Sequence, residues 1–259
     1  MKNPRVLEPP AAPQPMTPVL IGYFPRRPRP RAEDSRAPAL PPQIEEFCNV
    51  GHMREGAPPD WVELWLHNAL WVFSTEAHAW GAAVDTENLR RIFTEESRRW
   101  DGVRGSVQRI MDEYIARQVP SPRDLFSSSE PCFNWNLFAY RMFPVRFAGG
   151  LEEAYEVGPG DLEPVQPLPG DYVSLGLDLV NRCCGSLFEC SPLNCNGHYD
   201  TVTVNRYCLL DQLETAMQLA RHWSSGKYDA KGGYVGPAEP GPYFIIEVLR
   251  KRLGTVGHP

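Results

Sequence analysis

A chain of 259 residues with 42% apolar and 22% charged side chains is long enough to bury a sizeable core and too apolar to be disordered throughout. Its 26 basic and 32 acidic residues leave a net charge of -6, which argues against a generic grip on nucleic acid or on an anionic membrane surface. Seven cysteines behind an N-terminus without the apolar run of an export signal are expected to be reduced thiols in a cytoplasmic protein.

Residues 1–16, rich in Pro and Ala, read as a disordered tail. Residues 17–253 read as a single α+β domain and 254–259 as a frayed end. The 27 prolines predict short elements and many irregular connections, because proline lacks an N–H and fixes φ. Thr17 to Phe24 is the first credible strand. Residues 25–42 return to Pro and Arg, and the basic run Arg26, Arg27, Arg29, Arg31 reads as a solvated, extended arm rather than a contact with RNA or acidic lipid.

Pro58-Pro59-Asp60 opens a helix with Trp61, Leu64 and Trp65 on one face and Asn68 at its end. Leu70 to Phe73 reads as a buried strand. Ser74-Thr75-Glu76 fits the start of a short helix over Ala77 to Ala83. Residues 86–119 carry two helical stripes that meet near Asp101-Gly102 and stop at Pro120. Leu137, Ala139 and Met142 alternate as in a strand, within an aromatic-rich stretch from Asn134 to Phe147. Tyr172 to Val180, Ser186 to Cys190 and Asp200 to Val204 are further strand candidates. Leu209 to Trp223 is an amphipathic helix closed by Ser224-Ser225-Gly226, with the glycine free to take a positive φ. Tyr243 to Leu249 is the most strand-like segment of all. Helices and strands do not alternate regularly, so the expected fold is a small mixed or antiparallel sheet packed by amphipathic helices and joined by Pro-rich loops.

Chemistry concentrates after residue 180. Cys183, Cys184, Cys190 and Cys195 lie close to His198 and Asp200. Zinc takes four soft or borderline ligands, and Cys190, Cys195 and His198 supply three, with Cys183 or Cys184 as a fourth. No CxxC pair is present, so the spacing does not favour zinc, and no cofactor is the preferred expectation. Cys195, His198 and Asp200 are also the residue types of a nucleophilic cysteine site, with Arg206 able to hold an anionic group. Three residues apart on one loop is poor geometry for that purpose. The bland reading makes the thiols small buried hydrophobes. The turn formers Asn194 and Asn196, with Asn205 beyond them, suit either a binding loop or a well-made connection. Trp61 and Trp65 would mark a protein interface if exposed. The pairs Glu45-Glu46, Glu95-Glu96 and Glu152-Glu153 read as solvated faces. Phosphate loops, dinucleotide fingerprints, nucleophile elbows and H-E-x-x-H are all missing.

Cys190-Ser191-Pro192-Leu193-Asn194-Cys195-Asn196-Gly197 and Val204-Asn205-Arg206-Tyr207-Cys208, with Leu20-Ile21-Gly22-Tyr23 and Glu239-Pro240-Gly241-Pro242-Tyr243, resemble islands in bacterial proteins of no assigned activity. Leu175 to Val180 leading into Ser191-Pro192-Leu193-Asn194 is similar to elements of small bacterial immunity-type proteins. The resemblance implies a bacterial cytosolic protein and carries over no catalytic residue. The resulting expectation is a non-enzymatic factor that binds another protein. An enzyme or degenerate enzyme using Cys195, His198, Asp200 and Arg206 is one alternative, and a structural zinc domain is the other.

Overall fold

The computed structural model describes residues 17–26, 30–34, 36–50, 73–84, 91, 95, 136–147, 170–181, 191–195, 202–231, 233–238 and 241–251. The elements in chain order are β1 (Val19–Arg26), α1 (Glu76–Val84), β2 (Asn136–Phe147), β3 (Tyr172–Asn181), the single turn α2 (Pro192–Cys195), α3 (Leu213–Trp223), β4 (Lys227–Tyr228), β5 (Tyr234–Val235) and β6 (Tyr243–Lys251). One four-stranded sheet has the order β1-β2-β6-β3, with every neighbouring pair antiparallel. β4 and β5 form a separate two-stranded ribbon. The described part is therefore compatible with the expected α+β class. The expected helix around Trp61 and nearly all of residues 86–119 lie outside the described residues, as does the strand over Ser186 to Cys190.

β6 is central because its side chains are apolar on both faces. Phe244, Ile245, Ile246 and Val248 are all buried, the pattern of a strand covered on each side. Register assigns the faces. Leu177, Leu179, Tyr243 and Ile245 share one face, since Leu179 lies opposite Ile245 and Asn181 opposite Tyr243. Asp178, Ile246, Tyr140 and Phe138 share the other, as Asp178 pairs with Ile246 and Tyr140 with Val248. Arg141 and Glu247 face each other across β2 and β6 and form an ion pair. Pro144 sits where the β2 register shifts between Met142 and Arg146, as expected of a residue that cannot donate to a ladder.

α3 covers the first face through Ala216, Ala220 and Trp223. The Trp223 ring lies 5.9 Å from that of Tyr243. Eleven residues make a marginal helix in isolation, so this docking holds it. The helix begins at Leu213 rather than Leu209, because Leu210 exchanges backbone hydrogen bonds of 2.8 Å with Leu177 at the β3 edge. It ends without a left-handed glycine: Gly226 has no positive φ, and the Ser224 and Ser225 hydroxyls donate to the carbonyls of Ala220 and His222. The Thr/Val alternation near residue 202 also misleads, since Val202 to Val204 is not a strand. Thr203 is exposed and Val204 buried, so the alternation records burial without pairing.

The Arg/Pro segment departs furthest from expectation. Arg26 is buried, with its guanidinium donating to the carbonyls of Phe47 and Asn49 and lying 5.3 Å from the Phe138 ring centroid. Arg31 donates to the carbonyls of Ala37, Leu40 and Pro41. Arg36 bridges the Asp34 carboxylate and Asn194. Prolines leave a loop short of backbone donors, and guanidinium groups with several N–H donors supply them. Arg26 and Arg31 are thus pegs that pin the loop, not a solvated arm. Glu46 likewise is no solvated carboxylate, since it pairs with Arg250 at 2.8 Å and is only 16% exposed.

Candidate functional site

Two polar regions stand out, one whose side chains bond to one another in the interior and one that lines a groove at the surface. The first lies under the second face of the sheet. Asp178 is fully buried on β3, and its carboxylate accepts hydrogen bonds from the Ser191 hydroxyl at 2.5 Å, the Val50 N–H at 2.6 Å, the Leu179 N–H at 3.0 Å and the Asn49 amide at 3.2 Å. Burial pushes this carboxyl above the usual carboxylate range, against the pull of those four donors. Asn49 reaches on to the Cys208 carbonyl at 2.9 Å and supports a backbone whose φ is 59° at a non-glycine residue. Burial also pushes the Tyr140 hydroxyl up to about 12, although the Arg26 guanidinium opposes it. The Cys48 thiol is driven up by its burial, with the Glu46 carboxylate adding to the effect. A thiol held protonated is a poor nucleophile. This region ties β1, β3, residues 44–50 and the start of α2 into one block.

A smaller cluster fastens α1 to the end of the sheet. Lys251 pairs with Glu76 and, at 3.3 Å, with Asp171, beside the Tyr172 ring. Burial raises the Tyr172 hydroxyl, and the Glu76 carboxylate adds to that shift. The Thr75 hydroxyl accepts from the His78 N–H, the helix start that Ser74-Thr75-Glu76 predicted.

The second region is a groove of about 540 Å³ beside α3. Its lining combines Val202, Leu210 and Leu219 with Thr203, Asp211, Gln212, Thr215, Gln218 and His222. Thr215, Gln218, Leu219 and His222 stand on one face of α3 through the spacing i, i+3, i+4, i+7. Ala216, Ala220 and Trp223 lie about a third of a turn round the helix and enter the core, against which Leu219 also packs. The volume lies within the range of small-ligand sites, but six of the nine lining side chains are polar, a more polar lining than such sites usually have. Asp211 and His222 are its titratable side chains.

Several residues singled out from sequence fall in or beside these regions. Asn205 does not line the groove. Its side-chain amide donates to Asp211 at 2.8 Å and to the Leu175 carbonyl at 2.8 Å, while its Oδ1 accepts from the N–H groups of Tyr207 and Leu209. It therefore builds the 205–209 turn and aims Asp211. Gly176 opposes it with φ +140°, where a Cβ would lie 2.8 Å from the Leu210 carbonyl oxygen and 2.9 Å from Asn205 Nδ2. Only glycine allows that close approach. Asn194 is buried and receives Arg36, so it serves the loop anchor. Arg206 is exposed and engages Glu45 at 3.6 Å and the Tyr207 hydroxyl at 2.8 Å. Its partners are surface groups of its own neighbourhood. Cys195 closes α2. Its side chain, together with Cys190, Asn196, His198, Asp200, Trp61 and Trp65, lies outside the described residues. Among the described residues, no three His, Cys, Asp or Glu side chains are placed to hold a metal ion, and no helix is long and apolar enough to cross a membrane.

Sequence reading missed the groove residues and the Asp178 centre. Both leave a trace. Asp178 is a lone carboxylate inside Leu177-Asp178-Leu179-Val180, which signals a buried polar group that needs partners. The groove side of α3 carries Thr215 and Gln218, a fainter trace, since Glu214 and Arg221 are exposed on the same helix. No family model, curated protein or solved structure matches this chain.

Proposed function

We propose that the chain is a protein-interaction factor that receives a segment of a partner protein in the groove beside α3. The observation that carries this reading is the groove itself. Six side chains able to hydrogen-bond surround three aliphatic ones, on a helix whose other face is locked to the sheet. A rigid support with polar groups turned outward binds without first having to order itself. Asparagine and glutamine-type amides can both donate and accept, which suits a peptide backbone. The buried and raised Cys48 thiol gives no competing reactive centre at its own position.

The test uses the full chain as bait for linear random peptides displayed on phage. Selected peptides should bind wild type and lose at least tenfold in affinity for Leu219→Trp, which fills the groove, while circular dichroism and melting temperature stay close to wild type. Recovery of no peptide sensitive to that substitution would defeat the proposal.

A further inference from the structure

We infer that the segment taken up by the groove is extended and basic, pairing its backbone with Val202–Val204 and setting a Lys or Arg against Asp211; this rests on the groove being the partner site. The first observation concerns backbone groups. Val202 and Thr203 line the groove, and no hydrogen bond is made by the backbone of Val202, Thr203 or Val204 among the described residues. Backbone hydrogen bonding resumes at the Asn205 turn, where the Asn205 N–H donates to the Leu209 carbonyl at 2.8 Å. Among the described residues these backbone groups have no partner, so alternate ones along the run can give an added strand main-chain bonds, and backbone groups beside buried Val204 are costly to leave unmet.

The second observation concerns charge. Among the described residues, Asp211 is the one carboxylate lining the groove. Asn205 holds its Oδ1 at 2.8 Å, and its other oxygen has no hydrogen bond among the described residues. Glu214 lies one position beyond Leu213 on the same exposed end of α3 and accepts only from Gln218 among the described residues. In a chain of net charge -6, this end of the groove complements a cation. Gln212 stands at the helix N-cap without a capping bond, so its amide remains available to the incoming backbone. An α3 length of about 16 Å corresponds to roughly five extended residues.

The experiment uses the peptides selected by the phage display above. They should be enriched in Lys and Arg. Asp211→Asn should lower their affinity about tenfold. Methylating their backbone nitrogens one at a time should abolish binding at alternate positions only, the period of a paired strand edge, and binding should slow amide exchange at Thr203. Acidic or neutral selections indifferent to Asp211→Asn would overturn the charge assignment. Tolerance of methylation at every position, with unchanged exchange at Thr203, would overturn the backbone pairing. Either result combined with retained sensitivity to Leu219→Trp leaves the groove reading standing. Loss of that sensitivity removes the groove reading itself.

Discussion

Asp178 and Asp211 are the same side chain put to opposite uses. Asp178 is buried on a strand and receives four donors from three separate segments of the chain, so nothing of it is left for a ligand. Asp211 is exposed at a helix entrance, held on one oxygen by Asn205, and its other oxygen has no hydrogen bond among the described residues. Asn49 and Asn205 repeat the contrast, one cross-linking distant segments and the other shaping a local turn. The lesson is that polar residues in this protein divide by where their partners come from. A carboxylate surrounded by donors from several segments is spent on architecture, and one held on a single oxygen at the surface is not.

The largest expected effect comes from breaking the buried member. Asp178→Ala strips an acceptor from the Val50 and Leu179 N–H groups, the Ser191 hydroxyl and the Asn49 amide, and should cost about 3 kcal/mol or more in urea unfolding. Asp178→Asn sharpens the point. Burial raises the folded carboxyl above its unfolded value, so the native state binds its proton more tightly. The contribution of Asp178 to stability is then full below its unfolded value of about 4 and declines as pH rises toward the folded value. The stability of wild type relative to Asp178→Asn should therefore fall from pH 4 upward. A gap that grows in wild type's favour would contradict the assigned direction.

Arg26→Met should cost about 3 kcal/mol, because the Phe47 and Asn49 carbonyls lose a buried charged donor. A solvated arm would show almost no effect. Gly176→Ala comes next, at about 2 kcal/mol, since a Cβ there meets the Leu210 carbonyl and the Asn205 amide. Because that clash falls on the turn that aims Asp211, peptide affinity should drop together with stability. Arg206→Ala belongs at the bottom of the scale. Its exposed pairing with Glu45 should leave the unfolding midpoint unchanged, and a clear shift would move Arg206 out of the surface class.

Much of the sheet was legible in advance. Tyr243 to Leu249, Tyr172 to Val180 and the strand ending in Tyr23-Phe24 carry enough apolar and β-branched side chains that burial on a sheet is their one favourable outcome. The stripe of α3 was readable for the same reason, apart from its start. There Leu209 and Leu210 continue the apolar pattern, but Leu209 closes the 205–209 turn and Leu210 pairs with β3, and periodicity cannot distinguish ways of burying a leucine. The alternation at Val202 to Val204 failed likewise, because it reports sidedness and not the presence of a neighbouring strand.

Sequence by itself determined which segments must be buried, where prolines and glycines interrupt them, and that the charge balance is acidic, since these follow from properties each residue carries alone. Only tertiary structure decided that Arg26 is interior, that Asn49 meets Asp178 across 129 positions, and that Thr203, Asp211 and Gln218 line one groove. Charge and hydrogen-bonding capacity are satisfied by whichever partner the fold delivers, and the identity of that partner is absent from any local stretch of chain.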